Sequence, residues 1–501
     1  MSGVTFRPRE AFAPQKPYSF LPIRFMDLDG RRLVVNEAGE HLLLDAETFE
    51  KFVGRTLRHG EAGYDDLKAR QMLLDGPPDV PLRMLATKYR TKRAFLAGFT
   101  RLHIFVVSLR CEHSCHYCQV SRVSPDKVRY DMSPESAARS LDLVFRSPAN
   151  EISIEFQGGE PLLNFDVIRF VVEEAKRRNE GHGKTIQFVI TTNLAVVTDE
   201  ILEFCRQHQI LISTSLDGPA FIHNANRPRP GNDSHELTVR GIERVRAALG
   251  YDRVSALMTA TKLSLENPEA IVDEYLRLGF DHIVLRPISP YGFAVKTKLK
   301  TGYSVEGFLA FYERTLAYIL DLNRRGTFFI EGYAQLLLTK ILTPFSTGYV
   351  DLQSPSGAGI SAVVYNYDGD VYVSDEARML AEMGDKTFKI GNVHEDSYES
   401  IFGGPLLRRL VAASCVESLP GCSDCALHTW CGADPVENYA KQGDIFGHRP
   451  TGEFCQRNMT IMKHLLRLYH GCDEATRRIF WSWVNNRPAG ELVPALAGAA
   501  P

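Results

Sequence analysis

Three cysteines that lie close together in the sequence could hold a metal centre. Cys111, Cys115 and Cys118 fall within eight residues and directly follow a predicted strand. Three thiolates on one short loop can hold three irons of a [4Fe–4S] cluster and leave the fourth iron without a protein ligand. Chemistry at a metal centre needs such an open position. The spacing also allows a zinc site completed by His113 or His116, or a redox-active thiol loop.

A second set of cysteines near the C-terminus could hold another metal centre. Its members are Cys422, Cys425, Cys431 and Cys455. Four thiolates at these spacings suit an iron–sulfur cluster or a tetrahedral zinc ion, in which His428 could replace one thiolate. Cys415, seven positions before Cys422, is an alternative ligand. Because a reducing compartment disfavours disulfides, we interpret both sets first as metal ligands.

Glycines and small polar residues end three further predicted strands. They are Gln157, Gly158, Gly159 and Glu160 in the segment FQGGEP, Asn193 in TTN, and Ser215 and Asp217 in SLDG. Two consecutive glycines allow a close backbone approach, and a carboxylate follows them. Because the carboxyl ends of parallel strands meet at one edge of a sheet, these residues are predicted to surround a shared ligand.

The middle of the chain alternates predicted strands with predicted helices. The strands are expected at 103–109, 151–156, 185–191, 210–216, 253–259 and 282–288. Six βα units of this kind predict an α/β fold with a parallel sheet and outer helices. The pattern does not distinguish an open doubly wound sheet from a partial barrel.

Length and composition define the broad class of the protein. The chain has 501 residues, of which 44% are hydrophobic and 24% charged, and its net charge is −3. These values predict a globular protein of several domains and no nucleic-acid partner. The sequence contains neither an apolar segment of membrane-spanning length nor an export signal, so we expect a cytoplasmic protein without membrane association. Residues 1–17 are predicted to be disordered.

The motifs CEHSCHYC, FQGGEP, TTN and SLDGP on successive strands resemble the radical S-adenosylmethionine (SAM) superfamily. The resemblance covers roughly residues 103–290 and implies a partial (β/α)6 barrel with a [4Fe–4S] cluster and SAM as cofactors. It implies that Cys111, Cys115 and Cys118 are the cluster ligands, while SAM occupies the remaining iron.

The same resemblance implies a set of contacts to SAM. These are Tyr117 near the adenine, Glu160 with the preceding Gln157, Gly158 and Gly159 at the amino group, and Asn193 and Ser215 at the methionyl or ribose groups. Asp217 belongs to the same set, and Arg227 is expected to bind the SAM carboxylate or to shape the site. From the residues alone, each could instead be a core aromatic residue, a turn or cap residue, or a charge on a solvated loop.

The C-terminal cysteines resemble the SPASM extension of radical SAM peptide maturases, which normally carries two auxiliary [4Fe–4S] clusters. Ser356, Ser374 and Pro435 stand at three positions where that pattern has cysteines. The three missing ligands all belong to the first auxiliary cluster, so the resemblance implies one auxiliary cluster, held by Cys422, Cys425, Cys431 and Cys455. We expect this cluster to conduct electrons or to brace the fold.

Asp375 directly follows Ser374. In sulfatase maturases the corresponding residue is an aspartate that serves as the base in a dehydrogenation. The resemblance therefore makes Asp375 a candidate general base, and a carboxylate in a turn is the alternative interpretation.

The N-terminal segment 18–90 predicts a hairpin followed by helices. It resembles winged-helix elements that bind leader peptides of ribosomally made precursors by strand addition, and a domain that caps the barrel would explain the pattern equally. We predict an N-terminal winged-helix-like domain at 1–97, the barrel at 98–325, a SPASM-like domain at 326–472, and a C-terminal helix with a flexible tail at 473–501. The chain as a whole looks most like the maturases of His-Xaa-Ser peptide systems.

The resemblance implies an oxidoreductase that modifies a ribosomally synthesised precursor peptide by hydrogen abstraction with a 5′-deoxyadenosyl radical. A flavodoxin or ferredoxin of the cytoplasm is the expected electron donor. The expected product is a crosslink or another oxidative side-chain modification, and a sulfatase-type formylglycine maturase or a peptide epimerase is the alternative. A zinc-binding scaffold and a plain iron–sulfur electron carrier are the rivals from other classes.

Overall fold

The structure is a computed structural model that describes residues 17–492. The predicted disorder of residues 1–16 and the predicted flexible tail from residue 493 onward lie outside these residues. Within the described range, none of the helices is both long enough and apolar enough to cross a lipid bilayer.

A small α+β module forms the N-terminal part of the chain. Its strands are β1 (Ser19–Phe20), β2 (Ile23–Leu28), β3 (Arg31–Asn36), β4 (His41–Leu44) and β5 (Leu73–Leu74), and its helices are α1 (Ala46–Val53), α2 (Tyr64–Ala69) and α3 (Asp79–Lys92). Strands β2, β3 and β4 form an antiparallel sheet in that order, and β1 pairs with β5. Helix α1 begins after Asp45, whose carboxylate accepts a hydrogen bond from the Thr48 N–H at 2.8 Å, as an N-cap residue does.

The middle of the chain supplies the parallel strands and their outer helices. The strands are β6 (Leu102–Ser108), β7 (Glu151–Gly158), β8 (Thr185–Thr192), β9 (Leu211–Ser215), β10 (Val254–Thr259), β11 (His282–Ile283) and β12 (Leu285–Arg286). The helices are α4 (Pro134–Arg146), α5 (Phe165–Asn179), α6 (Asp199–Gln207), α7 (Ala220–Asn226), α8 (Ser234–Leu249), α9 (Lys262–Leu265), α10 (Pro268–Arg277), α11 (Phe293–Lys296), α12 (Lys298–Thr301) and α13 (Val305–Arg324). Buried residues recur at helical spacing, as Ile168, Val171 and Val172 do in α5, because one face of each helix covers the sheet.

The C-terminal part adds three strands to the same sheet. Its elements are β13 (Ile330–Glu331), α14 (Gly332–Leu342), β14 (Ala362–Tyr365), β15 (Asp370–Tyr372), α15 (Asp375–Glu382), β16 (Lys389–Asn392), α16 (Tyr398–Gly403), α17 (Pro405–Ser414), α18 (Pro435–Gln442), α19 (Glu453–Gly471) and α20 (Glu474–Asn485). The nine strands follow the order β12-β10-β9-β8-β7-β6-β14-β15-β16. Strand β14 runs parallel to β6, and β15 and β16 follow antiparallel, so the sheet is mixed.

The predicted α/β architecture with parallel strands is confirmed from β6 to β10 and for β12. The predicted sixth strand differs, because 282–288 splits into two short pieces. Strand β11 pairs with β13, whereas β12 pairs with β10. Since β14 belongs to the sheet of the middle segment, the sheet continues across the expected boundary at residue 326, and the domain limits remain predictions.

Buried polar contacts attach the N-terminal module to the rest of the chain. Lys92 is 8% exposed and donates hydrogen bonds from Nζ to the carbonyl oxygens of Ala38 at 3.0 Å and Lys340 at 2.9 Å. Burial lowers the pKa of Lys92 to about 7, because removing an ammonium group from water disfavours its charged form.

We expect the stability contribution of Lys92 to depend on pH. Its folded-state pKa lies below the ordinary value of 10.5, so above pH 7 the folded state releases a proton that the unfolded chain retains. The free energy of unfolding therefore rises with pH in this range. Between pH 7 and 9, wild type should gain about 2 kcal/mol relative to Lys92→Met, as measured by chemical denaturation at several pH values.

Lys262→Met is the matched control, since Lys262 is exposed at the start of α9. Its difference in stability from wild type should stay constant over the same pH range. A constant difference for Lys92→Met would show that Lys92 remains protonated in the folded protein.

Candidate active site

A cavity of about 680 Å³ opens at the carboxyl ends of the parallel strands. Its walls include the last residues of β7, β8, β9, β10 and β12 and the loop that follows β6. The predicted convergence of strand ends on one shared space is therefore present in the structure, at the edge where α/β folds bind ligands.

The three cysteines of the first set all line this cavity. Cys111 is buried, and its N–H donates to the Val123 carbonyl oxygen at 3.2 Å, while the Cys118 N–H donates to the Cys115 carbonyl oxygen at 3.2 Å. Burial raises the pKa of the Cys111 thiol and raises that of Cys115 to about 12. Thiolates in this environment need the positive charge of a bound metal.

The donor set suits a cluster better than a single zinc ion. Cys111 Sγ lies within 4.8 Å of ligand atoms of Glu112 and His113, but within the described chain the three sulfurs do not form such a compact group. Tetrahedral zinc with bonds of about 2.3 Å requires sulfurs about 3.8 Å apart. The His113 ring nitrogens are also engaged, with Glu112 Oε1 and with Ser234 Oγ, each at 2.8 Å. Three thiols on one loop therefore fit a [4Fe–4S] cluster with one open iron.

Gly158 and Gly159 bring the end of β7 against the backbone that precedes Cys111. A Cβ atom at Gly158 would lie 2.0 Å from the Ser108 carbonyl oxygen, and one at Gly159 would lie 2.3 Å from that of Arg110. In place of side chains, the contact contains hydrogen bonds from the Gly159 N–H to Ser108 O at 2.8 Å and from the Glu160 N–H to Arg110 O at 2.6 Å. The predicted close backbone approach is present.

Glu160 connects two strand ends and lies behind the cavity wall. It is fully buried, and its carboxylate accepts hydrogen bonds from Thr192 Oγ1 at 2.6 Å and from the Asn193 N–H at 2.9 Å. Burial, followed by the charge of Glu112, raises the pKa of Glu160 to about 8. The structure thus gives Glu160 partners within the protein, and its contact with SAM remains a prediction.

Asp217 is the centre of a second buried network. It accepts hydrogen bonds from Tyr117 Oη at 2.6 Å, Arg227 Nε at 3.0 Å and the Thr259 N–H at 3.2 Å. The Arg227 guanidinium also lies 5.2 Å from the centre of the Tyr117 ring, within cation–π range. Tyr117 and Arg227 line the cavity, whereas the fully buried Asp217 fixes both from behind.

The other predicted SAM contacts lie in the cavity wall. Asn193 Nδ2 donates to Glu112 Oε1 at 2.8 Å and lies 4.0 Å from Cys111 Sγ. Gln157 Nε2 donates to Glu155 Oε1 at 2.8 Å, and Ser215 lines the cavity at the end of β9.

Sequence reasoning missed several polar residues on the same strands. They are Glu155, Thr191, Ser213 and Thr259. Three of them stand two positions before a predicted residue, and all four occupy the final residues of a strand. Side chains alternate between the two faces of a strand, so residues two positions apart point to the same face. Examining the residue two positions before each predicted one would therefore have identified Glu155, Thr191 and Ser213.

The second set of cysteines converges near the same cavity. Burial raises the pKa values of these four thiols, and neighbouring thiols of the set raise those of Cys422, Cys431 and Cys455 further. Cys455 lies in the first turn of α19, whose residues Phe454 and Arg457 line the cavity. Lys463 and Arg449 supply positive charge beside the thiols, as the negative charge of a four-thiolate cluster requires. Among the described residues, no three of these sulfurs lie within 4.8 Å, so this set also suits a cluster better than zinc.

Cys415 is separate from this thiol group, and the side chain of His428 faces the N-terminal module. The charged group that acts on Cys415 is Arg93 rather than another cysteine. His428 Nε2 lies 3.6 Å from Glu37 Oε2, in the N-terminal module.

The positions that lack SPASM cysteines have local structural roles. Ser374 is the N-cap of α15, and its Oγ accepts a hydrogen bond from the Ala377 N–H at 3.2 Å. Pro435 is the first residue of α18, where its missing N–H costs nothing. The Ser356 N–H donates to Ser414 Oγ at 3.0 Å.

Asp375 lines the cavity and forms an ion pair with Arg378. Its Oδ1 accepts hydrogen bonds from Arg378 Nη2 at 2.9 Å and Nε at 3.1 Å. Arg378 is 1% exposed and also donates to the Val120 carbonyl oxygen at 3.2 Å. The pair therefore connects the start of α15 to the loop that carries Cys118.

The sequence matches known proteins over its middle part. Residues 105–275 match the profile of the Radical SAM superfamily. The radical SAM cyclopropyl synthase TigE of Paramaledivibacter caminithermalis is 27% identical over 179 residues, which are 33% of this chain and 37% of TigE. An uncharacterized protein of Methanothermobacter thermautotrophicus is 32% identical over 191 residues, which are 38% of this chain and 68% of that protein. The chain thus spans little more than a third of the length of TigE.

Two solved structures share the fold over a larger part of the chain. The protein anSMEcpe, solved with bound AdoMet, superposes with a TM-score of 0.62 at 18% identity, covering 77% of this chain and 99% of that one. Streptococcus suis SuiB, solved with its precursor peptide SuiA, superposes with a TM-score of 0.52 at 17% identity, covering 88% of this chain and 100% of that one. At these identities the likeness concerns the fold alone. The sequence matches and the three-cysteine loop establish that this chain is an enzyme of the radical SAM superfamily.

Proposed function

We propose that the protein is a SPASM-type peptide maturase, which modifies a ribosomally made precursor peptide in the cavity at the strand ends. One observation carries the proposal: the three-cysteine loop and the helix that bears Cys455 contribute to the wall of the same cavity. Its volume of about 680 Å³ is in the range of sites that hold cofactors and small ligands. SuiB, which was solved with its precursor peptide SuiA, supports a peptide substrate.

In this proposal Cys111, Cys115 and Cys118 hold the SAM-binding [4Fe–4S] cluster, and the second set holds one auxiliary cluster. When bound, these groups supply a 5′-deoxyadenosyl radical that removes hydrogen from a substrate carbon, and an outlet for the electron that remains. The chain orients the reactants and excludes water. Tyr117, fixed by Asp217 and Arg227, is assigned to the adenine side of SAM.

The remaining SAM contacts follow from the positions of the strand ends. Asn193 and Ser215 are assigned to the methionyl or ribose groups, and Gln157, Gly158 and Gly159 to the amino group. Glu160 contributes by holding the Asn193 backbone N–H at 2.9 Å. The absence of three SPASM cysteines, at Ser356, Ser374 and Pro435, counts against the alternative of a sulfatase-type maturase.

The N-terminal module is assigned to leader-peptide binding. Its three-stranded sheet, followed by helices, has the winged-helix-like order, and β2 and β4 are the edges to which an extended peptide could add. The barrel, the SPASM-like region and this module are the units of the proposed enzyme. Because thiolate ligands need a reducing compartment, we assign the reaction to the cytoplasm, with a flavodoxin or ferredoxin as electron donor.

Cluster content tests the proposal directly. After anaerobic reconstitution, wild type should contain about eight irons and eight acid-labile sulfides per chain, and Cys111→Ala/Cys115→Ala/Cys118→Ala about four of each. The corresponding alanine variant of the second set should also retain about four. Cys205→Ala is a matched control, since Cys205 is buried in α6 and no other cysteine acts on its thiol, and it should retain the full iron content. Zinc in place of iron in the second set would remove the auxiliary cluster from the proposal.

Asp375→Asn tests the general-base assignment. If Asp375 accepts a substrate proton, its amide should form modified peptide about 10²–10⁴-fold more slowly, while reductive cleavage of SAM to 5′-deoxyadenosine continues. Mass spectrometry of a precursor peptide that wild type modifies measures the first rate, and chromatography of 5′-deoxyadenosine measures the second.

The control for this experiment is Asp252→Asn, because Asp252 is exposed and remote from the cavity wall. Equal rates of peptide modification in Asp375→Asn and wild type would show that Asp375 acts only through its ion pair with Arg378. A lower melting temperature of Asp375→Asn than of wild type would identify that structural role.

A further inference from the structure

Three carboxylates occupy a part of the cavity wall to which none of the proposed cofactor contacts belongs. Asp351 lies in the segment before β14, Glu376 in the first turn of α15, and Asp434 directly before α18. These segments are far apart in the sequence, and the fold alone brings them to one cavity.

The three carboxylates have no cationic partner within ion-pair distance among residues 17–492. Their acidic neighbours do have partners, since Asp375 pairs with Arg378 at 2.9 Å and Glu437 pairs with Lys441 at 2.8 Å. Arg286, at the end of β12, acts on Asp351 and Glu376 from a longer distance. Arg457 also acts on Asp351, but it lies 3.9 Å from Glu437. Three half-buried negative groups therefore face one unpaired guanidinium group, which leaves an excess of negative charge in this part of the cavity wall.

The surroundings of these carboxylates indicate a missing cation. Burial raises the pKa values of all three, that of Glu376 to about 7. The charge of Asp351 raises the pKa values of Glu376 and Asp434 further, and Glu437 does the same for Asp351. Removing a carboxylate from water without a counter-ion costs free energy. Carboxylates that bear this cost are concentrated at functional sites.

Tyr291 provides a second, independent observation. It is 1% exposed and lines the cavity, and its hydroxyl group has no hydrogen-bond partner among the described residues. The charged groups that act on this hydroxyl are Asp434, Glu376, Glu437 and Asp351. Buried hydroxyl groups are normally hydrogen-bonded, so an atom that belongs to neither the protein nor the proposed cofactors should bind here.

The three carboxylates do not form a compact cage around a single metal ion. Their oxygen atoms do not form a group within 4.8 Å of one another in the part of the chain that the structure describes, whereas a bound Ca²⁺ or Mg²⁺ gathers its oxygen ligands within about 2.0–2.6 Å of itself. A larger organic cation with several N–H donors can contact carboxylates that are this far apart.

We propose that Asp351, Glu376, Asp434 and Tyr291 form a subsite for a basic side chain of the substrate peptide. The inference rests on the proposed function, in that a peptide enters this cavity. An ammonium, guanidinium or imidazolium group donates hydrogen bonds to the phenolic oxygen of Tyr291 and to the carboxylate within its reach, while the charge of the other carboxylates attracts it. The subsite thereby selects precursor peptides with a basic residue close to the residue that is modified.

Three pentapeptides test the subsite. They have the form acetyl-Gly-Gly-X-Gly-Gly-amide, with X as lysine, as its uncharged analogue norleucine, or as glutamate. Calorimetric titration into the reconstituted holoenzyme with SAM present should show that the lysine peptide binds about tenfold more tightly than the norleucine peptide. Asp351→Asn/Glu376→Gln should bind the two peptides equally. Glu395→Gln, which changes an exposed carboxylate outside the cavity, should discriminate as wild type does.

Each other outcome overturns a defined part of the inference. Equal affinities in wild type would show that no basic side chain is selected, and tighter binding of the glutamate peptide would assign the subsite to Arg286 instead. Discrimination that survives in the double variant would place the subsite elsewhere. Lysine selectivity in a protein that reconstitutes no iron would refute the proposed function and leave the subsite intact, so the two failures are distinguishable.

Discussion

The close backbone contact between the end of β7 and the cysteine loop is the constraint on which the candidate site depends. With a Cβ atom at Gly158 only 2.0 Å from Ser108 O, no residue other than glycine fits without moving one of the two segments. The hydrogen bonds from Gly159 and Glu160 to the backbone of the loop fix its position relative to the sheet. Because β7 to β10 are in parallel register, fixing the loop at one strand end also fixes its three sulfurs relative to Asn193, Ser215 and the other strand ends.

A continuous set of contacts connects the N-terminal module to the far wall of the cavity. Arg24 donates to the carbonyl oxygen of Ser423, and the His41 ring packs edge-on against Trp430, 5.4 Å between centres. Both contacts fall on the segment that carries Cys422, Cys425 and Cys431. The residue after Cys431, Gly432, would place a Cβ atom 2.2 Å from the Asp351 carbonyl oxygen. These contacts join the module, the second cysteine set and Asp351 in one tightly packed structure.

The sequence predicts the strands of the middle segment well and the C-terminal additions poorly, for a physical reason. Strands β6 to β10 lie within a few residues of their expected positions because their apolar runs and the following helices are local signals. The pairing of β14 with β6 joins residues about 260 positions apart, and no local pattern encodes such a contact.

The cysteine motifs likewise identified both candidate metal centres, whereas Asp351, Glu376 and Asp434 belong to no motif. Glu160 and Asp217 lie behind the cavity wall, and their hydrogen bonds within the protein depend on side-chain directions that spacing does not reveal.

Two kinds of buried charge divide the cavity into a part that is already satisfied and a part that is not. On the side of the cysteine loop, Asp217 is neutralised by Arg227 and hydrogen-bonded to Tyr117, and Glu160 accepts hydrogen bonds from Thr192 and Asn193. Such saturated networks hold a surface rigid before a ligand arrives, which lowers the entropic cost of binding. On the other side, Asp351 and Glu376 lack counter-ions, and Asp434 accepts hydrogen bonds only from the Val436 and Glu437 N–H groups, at 2.9 Å each. In the proposed subsite, binding a cation is therefore favoured by the repulsion that it relieves. The saturated side is suited to a cofactor that remains the same in every turnover, and the unsaturated side to a substrate that must be recognised by its charge.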